Sequence, residues 1–242
     1  HEFLYIMYNI KEYNYSFSFD LFNKIKDTFG TEIEFIDGYN KTFNMNLKLI
    51  DVNESIRKDL SYKININSKN KELHILHKYF DKINLNNVNY IIDGANLGYS
   101  KQVNKKLNYK LIDMVLEQLD YKVILFLHKK HNNKTYIDKW SSMNILYRTQ
   151  INENDDLYWL YSALYLNKPV ITNDILRDHY YKLEYSINFN IWRTNNIINY
   201  VINSKNHIIL NKLPKYSQRH QIINNMFIIY NDKYNKYLYI NL

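Results

Sequence analysis

Between residues 89 and 195, short continuous apolar runs alternate with segments of helical period, a rhythm the rest of the chain lacks. "NYIID", "KVILFLH", "NILY" and "KPVITND" read as strands. Between and after them lie "KKLNYKLIDMVLEQL", with Leu111, Val115 and Leu119 four residues apart, "TYIDKWSSM", "DDLYWLYSALYL" and "DILRDHYYKL", which read as helices. Unbroken apolar strands are expected where helices cover both faces of a sheet. Their alternation with helices predicts a parallel, doubly wound α/β sheet.

The two ends differ. Residues 1–30 read as helical, with Phe19, Leu21, Phe22, Ile25 and Phe29 near helical spacing. "NLKLIDV" reads as a strand, and "NKELHILHKYFDKIN" as a helix with Leu73, Ile75, Leu76 and Phe80 on its apolar face. Beyond residue 195, "HIILN", "QIINNMFIIYN" and "KYLYINL" read as strands, the last two joined by a turn at "NDKYNK". These are expected to form a small antiparallel sheet packed with the N-terminal region. The expected division is a helical and central segment over 1–88, an α/β domain over 89–195 and a C-terminal β segment over 196–242.

Composition narrows the chemistry. A hydrophobic fraction of 46%, with 25 Tyr, supports a sizeable aromatic core. The absence of Cys excludes disulfides, thiol nucleophiles and Cys-based zinc sites. No apolar run reaches membrane-spanning length. A formal charge of +8 favours a polyanionic partner, nucleic acid above all, although a Lys-rich solvated surface accounts for charge alone equally well.

In doubly wound sheets, ligands bind beyond the carboxyl ends of the strands. Asp93 ends "YIID", Asp155 and Asp156 open the helix after "NILYRTQINEN", and Asp174 follows "KPVIT", with Asp178 expected one helical turn further on the same face. Helix capping explains any one of them. It does not explain the set, because convergent carboxylates raise one another's pKa unless a cation lies among them. "IIDGAN", "NENDDLYW" and "VITNDI" hold no Lys or Arg before Arg177. Oxygen-only donors suit Mg2+, with Mn2+ as a substitute, and an acidic metal site in a basic protein points to phosphodiester hydrolysis. No Walker loop, GxGxxG or GxSxG is present.

"YIIDGANLGYS", "VILFLHKKH", "NENDDLYWLYSALYL" and "PVITNDILRDHYYKL", in that order, resemble the metallonuclease domain of protein-only RNase P, in the NYN branch of the PIN-like nucleases. The resemblance is good over residues 45–195. It implies a Rossmann-like PIN/NYN nuclease domain with a central parallel sheet, plus a small mixed or antiparallel β subdomain built from the chain ends. It also implies Mg2+-dependent removal of the 5′ leader of precursor tRNA, leaving a 5′-phosphate. Carried over, the metal-binding and catalytic residues are Asp93, Asp155, Asp156 and Asp174, with one of the adjacent pair on the metal and the other on its water. Asp178 and His179 match the R-D-H string and support the site or contact substrate, and Asn96 and Asn173 within the same strings are assigned supporting roles. The alternatives are another NYN/PIN-like endoribonuclease acting on structured RNA, or a non-catalytic RNA-binding module.

The resemblance also implies a structural zinc held by Cys and His. This chain has no Cys, and Tyr239 stands where a C-terminal ligand His is expected. We therefore expect no zinc and a subdomain held by aromatic packing. The family's N-terminal array of helical RNA-binding repeats is expected before His1, or else the chain is a reduced form that acts alone or with a helper protein. A mitochondrial, plastid or nuclear location is implied by the family only. Secondary candidates are His128, in a basic "HKKH" loop that either meets phosphate or is merely solvated, and Arg177, which binds phosphate or pairs with Asp174 or Asp178. Tyr158, Trp159, Trp140 and Trp192 are expected in the core.

Overall fold

The computed structural model describes residues 2–68, 73–100, 106–151, 153–183, 186–233 and 235–241. The chain divides into two compact units, one formed by residues 1–50 and 214–242 and the other by 51–213.

The first unit contains helices α1 (Glu2–Tyr13) and α2 (Phe19–Phe29) and strands β1 (Thr31–Ile33), β2 (Tyr39–Asn40) and β3 (Met45–Asn46) from the N-terminal part. The C-terminal part adds β11 (Gln221–Ile223), β12 (Met226–Asn231) and β13 (Lys236–Asn241). An antiparallel sheet runs β1-β13-β12-β11. Because side chains alternate across a strand, Phe227, Ile229, Leu238 and Ile240 pack with Met7 and Phe22 on one face. Ile228 and Tyr237 pack with Ile33, Met45 and Leu47 on the other. Phe43 meets Tyr239 edge-on at 4.6 Å between ring centroids, and Phe35 meets Tyr237 at 4.9 Å.

Two sequence expectations are corrected in this unit. "QIINNMFIIYN" is not one strand: Asn224 and Asn225 take positive φ (48° and 63°) and turn β11 back into β12. Two consecutive left-handed residues make the tight turn whose twist suits a hairpin, and Asn tolerates that conformation. "NLKLIDV" forms no ladder beyond Asn46. Side chains take the backbone groups there instead. Gln221 brackets Lys48, accepting from its N–H at 2.9 Å and donating to its carbonyl at 3.1 Å, and Ser217 Oγ accepts from Ile50 N–H at 2.9 Å.

The second unit opens with α3 (Glu54–Ser68) and α4 (Leu73–Phe80). It continues through β4 (Tyr90–Asp93), α5 (Gly94–Tyr99), α6 (Tyr109–Gln118), β5 (Val123–His128), α7 (Lys134–Ser142) and β6 (Leu146–Thr149). Then follow α8 (Asp155–Leu166), β7 (Val170–Ile171), α9 (Arg177–Lys182), α10 (Ile187–Asn196), β8 (Ile197–Ile198), and the hairpin of β9 (Tyr200–Ile202) and β10 (Ile208–Leu210). The five parallel strands lie in the order β6-β5-β4-β7-β8. All of β5 is buried, as its unbroken apolar run requires: Ile124 and Phe126 face the cluster under α3, α4, α8 and α10, while Leu125 and Leu127 face the cluster under α5, α6 and α7. Trp140, Tyr158, Trp159 and Trp192 are all fully buried.

This unit is wider than the 89–195 span expected from strand–helix alternation. Leu60, Ile64, Leu73, Leu76 and Phe80 complete its core from upstream, whereas Ile75 points outward. Arg57 on α3 donates to the carbonyls of Leu164 and Tyr165, closing the C-terminal end of α8. No helix among the described residues is long and apolar enough to cross a membrane.

Candidate active site

The sheet order places β5 and β6 on one side of β4, and β7 and β8 on the other. The connections therefore diverge between β4 and β7, and a crevice opens at their carboxyl ends, the usual ligand position in such sheets. A cleft of about 760 Å³ lies there, lined by Asp93, Asp156 and Asp174 together with Asn96, Asn173 and Tyr200.

Asp93 ends β4 and caps α5, accepting from the Asn96 N–H at 3.0 Å. Gly94 follows because a Cβ there would lie 2.6 Å from the Phe126 carbonyl oxygen. The other Asp93 oxygen accepts from the Thr172 hydroxyl at 3.1 Å, and that hydroxyl accepts in turn from the Asp174 N–H at 3.0 Å. Thr172 thereby ties the two strand ends that carry Asp93 and Asp174. Asp93 is only 4% exposed. Burial, reinforced by the charges of Asp156 and Asp155, pushes its carboxyl up to about 7.

The adjacent pair is divided by the helix it opens. Asn154 caps α8 by accepting from the Asp156 N–H at 3.0 Å. Asp156 lines the cleft, accepting from the Trp159 indole N–H at 3.2 Å and lying 4.0 Å from buried His179 Nε2. Asp155 is not part of that lining. It lies within the fields of His128 and Lys130, and burial and then the Asp156 charge raise its pKa.

Asp174 accepts from the Leu176 N–H at 2.8 Å, and Leu176 is left-handed at φ 55°. α9 therefore begins only at Arg177, which corrects the expectation that Asp174 and Asp178 share a helical face. Arg177 and Asp178 are exposed, and among the described residues Arg177 forms no ion pair with Asp174 or Asp178. His128 is also reassigned. It is 4% exposed, its Nε2–H donates to the Ile151 carbonyl at 2.8 Å, and its Nδ1 accepts from the Lys130 N–H at 3.0 Å, so the backbone takes both ring nitrogens. Asn173 spends its side-chain amide on the Tyr200 backbone, accepting from N–H at 2.9 Å and donating to C=O at 3.0 Å. Thr172, Trp159 and Tyr200 were not singled out for this site by sequence reasoning; the only local signal was the Thr directly before "ND".

Among the described residues, no three His, Asp or Glu side chains stand close enough to enclose a metal ion. The donor set nevertheless suits a hard cation that keeps most of its water. Such an ion needs one or two carboxylates, and the charges crowded around Asp93 call for a positive neighbour.

A five-stranded parallel sheet covered by helices on both faces, with an acidic crevice at its switch point, is a Rossmann-like α/β fold. The chain belongs to the protein-only RNase P family, whose model matches residues 37–236. It is 33% identical over 119 residues to Proteinaceous RNase P 3 of Arabidopsis thaliana, a match covering 43% of this chain and 21% of that one. It is 30% identical over 126 residues to Proteinaceous RNase P 2 of the same plant, covering 46% and 24%. The crystal structure of nuclear proteinaceous RNase P 2 (PRORP2) from A. thaliana superposes with a TM-score of 0.74 at 22% identity, covering 88% of this chain and 50% of that one. The chain thus corresponds to about half of the solved relative, and the matched stretches span roughly a quarter or less of the curated ones.

Proposed function

We propose that this protein is a metal-dependent endoribonuclease that removes the 5′ leader of precursor tRNA. The observation that carries the reading is the convergence of Asp93, Asp156 and Asp174 on one cleft at the sheet's switch point, in a chain of net charge +8. Family membership directs it to precursor tRNA. Water adds to the phosphorus and the bond to the 3′-oxygen of the last leader nucleotide breaks. The leader departs with a 3′-hydroxyl and the tRNA keeps a 5′-phosphate.

Asp93, Asp156 and Asp174 would hold Mg2+, one or two of them directly and the rest through its retained water, and the ion when bound supplies charge neutralisation, polarisation of the phosphate and a lowered water pKa. The protein's own contribution is orientation. Thr172 and the Asn96 N–H fix the Asp93 carboxylate, Trp159 fixes Asp156, and the Leu176 N–H fixes Asp174. Asp155 stands behind this row and adds negative field. The chain's net charge of +8 favours binding of the RNA backbone without reading sequence.

The test is incubation with 5′-extended precursor tRNA, with and without Mg2+, followed by mapping of both ends. One Mg2+-dependent cut at the mature 5′ end is the expected result. Scattered fragments would point to a general endoribonuclease, and binding without cleavage to an RNA-binding module.

A further inference from the structure

The cleft contains a polar clamp that none of the carboxylates explains. Tyr200, at the start of β9, is 4% exposed, and its hydroxyl lies 2.7 Å from Asn96 Oδ1 and 2.8 Å from Ser100 Oγ. The phenol has one proton, and a carbonyl oxygen can only accept. The proton that reaches Asn96 Oδ1 is therefore the phenol's, and Ser100, whose hydroxyl also lies 2.7 Å from the Leu97 carbonyl and 3.1 Å from that of Asn96, sits on the phenol's other side. Asn96 Oδ1 also accepts from the Asn173 N–H at 3.0 Å. Two donors on one oxygen settle which end of the amide is which. The Asn96 NH2 group must then lie on the other side, and no described protein group accepts from it, although Asn96 lines the cleft with Asp93, Asp156 and Asp174. The clamp is anchored a second time by the Asn173 side chain, which pairs with both the N–H and C=O of Tyr200. Three segments far apart in sequence, the β4–α5 turn, the β7 loop and β9, are locked together in this way.

We infer that Tyr200 is a positioning residue that holds the Asn96 amide with its NH2 group turned into the cleft, as a donor to a phosphoryl oxygen of the RNA backbone. This rests on the nuclease reading above. It accounts for a buried phenol beside an acidic site without giving the phenol any chemistry of its own. A donor whose orientation is set before substrate arrives needs no reorganisation as charge develops on phosphorus, and that is where such groups act most strongly. Hydrophobic burial alone would be met equally well by Phe at position 200, so the hydroxyl is the part to test.

Tyr200→Phe keeps the ring and removes only the hydroxyl's part of the clamp, leaving the Asn173 N–H on Asn96 Oδ1. In single-turnover cleavage of precursor tRNA, the rate constant at saturating protein should fall ~10-fold, while the RNA dissociation constant stays unchanged. Asn96→Ala should fall at least as far, and the double variant should be no slower than Asn96→Ala, because the two residues act in series. A merely structural role would weaken thermal stability without producing this non-additivity. A second measurement needs no substrate: in 15N-labelled protein, the Asn96 side-chain NH2 resonances, assigned by their loss in Asn96→Ala, should be dispersed in the wild type and collapse toward the free-amide position in Tyr200→Phe. Undiminished cleavage by Tyr200→Phe, multiplicative effects in the double variant, or an unmoved Asn96 signal would each overturn the inference. If the wild type leaves precursor tRNA uncut while the Asn96 signal still moves, the clamp stands and the assigned reaction falls.

Discussion

Each unit buries a titratable side chain, and the two are treated in opposite ways. In the antiparallel unit, His220 is 2% exposed, donates from Nε2 to the Tyr15 carbonyl at 2.7 Å and accepts at Nδ1 from the Tyr230 N–H at 3.0 Å. Both nitrogens are satisfied by the neutral ring, and burial holds its pKa below the ordinary value. In the parallel unit, Asp93 is just as hidden, yet its neighbours include the charges of Asp156 and Asp155. The first arrangement closes on itself, whereas the second is left electrostatically incomplete. A buried group raised by like charges at the end of a cleft marks a place where folding stability has been set aside for binding or chemistry.

The sharpest way to break the contrast is to remove a cleft carboxylate. Asp156→Asn or Asp174→Asn should lower single-turnover cleavage ~10³-fold, a loss of ~4 kcal/mol of transition-state stabilisation, with RNA affinity nearly intact. Full activity in either variant would sink the metal-site reading.

Next in size is a gain rather than a loss. Asp93→Asn keeps an acceptor for the Asn96 N–H and removes the buried charge, so in metal-free buffer it should stabilise the fold by up to ~4 kcal/mol while abolishing cleavage. The pH dependence follows from the same group. The folded protein binds the Asp93 proton more tightly than the unfolded chain does, with a pKa of about 7 against 3.8. Metal-free wild type should therefore become less stable as pH rises from about 4 to about 7, through this group, and Asp93→Asn should lack that slope. Chemical denaturation at several pH values measures both.

On the proposed reading Mg2+ binds the folded site and not the unfolded chain, so at a hundredfold excess over its dissociation constant it should stabilise the wild type by ~2.7 kcal/mol. Thermal melts should show that increment vanish in Asp156→Asn and Asp174→Asn. The smallest effect belongs to the closed unit. His220→Ala removes the bonds to the Tyr15 carbonyl and the Tyr230 N–H and should cost ~2 kcal/mol. In the wild type, the folded pKa of His220 lies below the unfolded 6.5, so the unfolded chain takes up its proton first and stability is lost as pH falls below about 6.5. Stability of His220→Ala should be flatter over that window.

Much of this was legible in the sequence. Each strand of the parallel sheet from β4 to β7 overlaps one of the runs that periodicity marks out, β6 running two residues past "NILY", and Asp93 falls at a strand end and Asp155 and Asp156 at a helix start, with Asp174 in the loop after β7, because local pattern encodes local structure. What local pattern could not show were the partners. Leu176 breaks the expected helix because Asp174 takes its N–H, and Asn224–Asn225 divides a run that looked continuous. His128 seemed free to meet phosphate until the Ile151 carbonyl and Lys130 N–H occupied it. The sequence by itself determined the elements, the α/β class and the acidic strand ends. Only the tertiary structure decided that Asp156 rather than Asp155 lines the cleft, that Thr172 bonds Asp93 across 79 residues of chain and that Tyr200 bonds Asn96 across 104. The reason is that periodicity acts over a few residues, whereas those contacts exist only once the strand order has set β4 beside β7 and the chain beyond β8 has brought Tyr200 to their carboxyl ends.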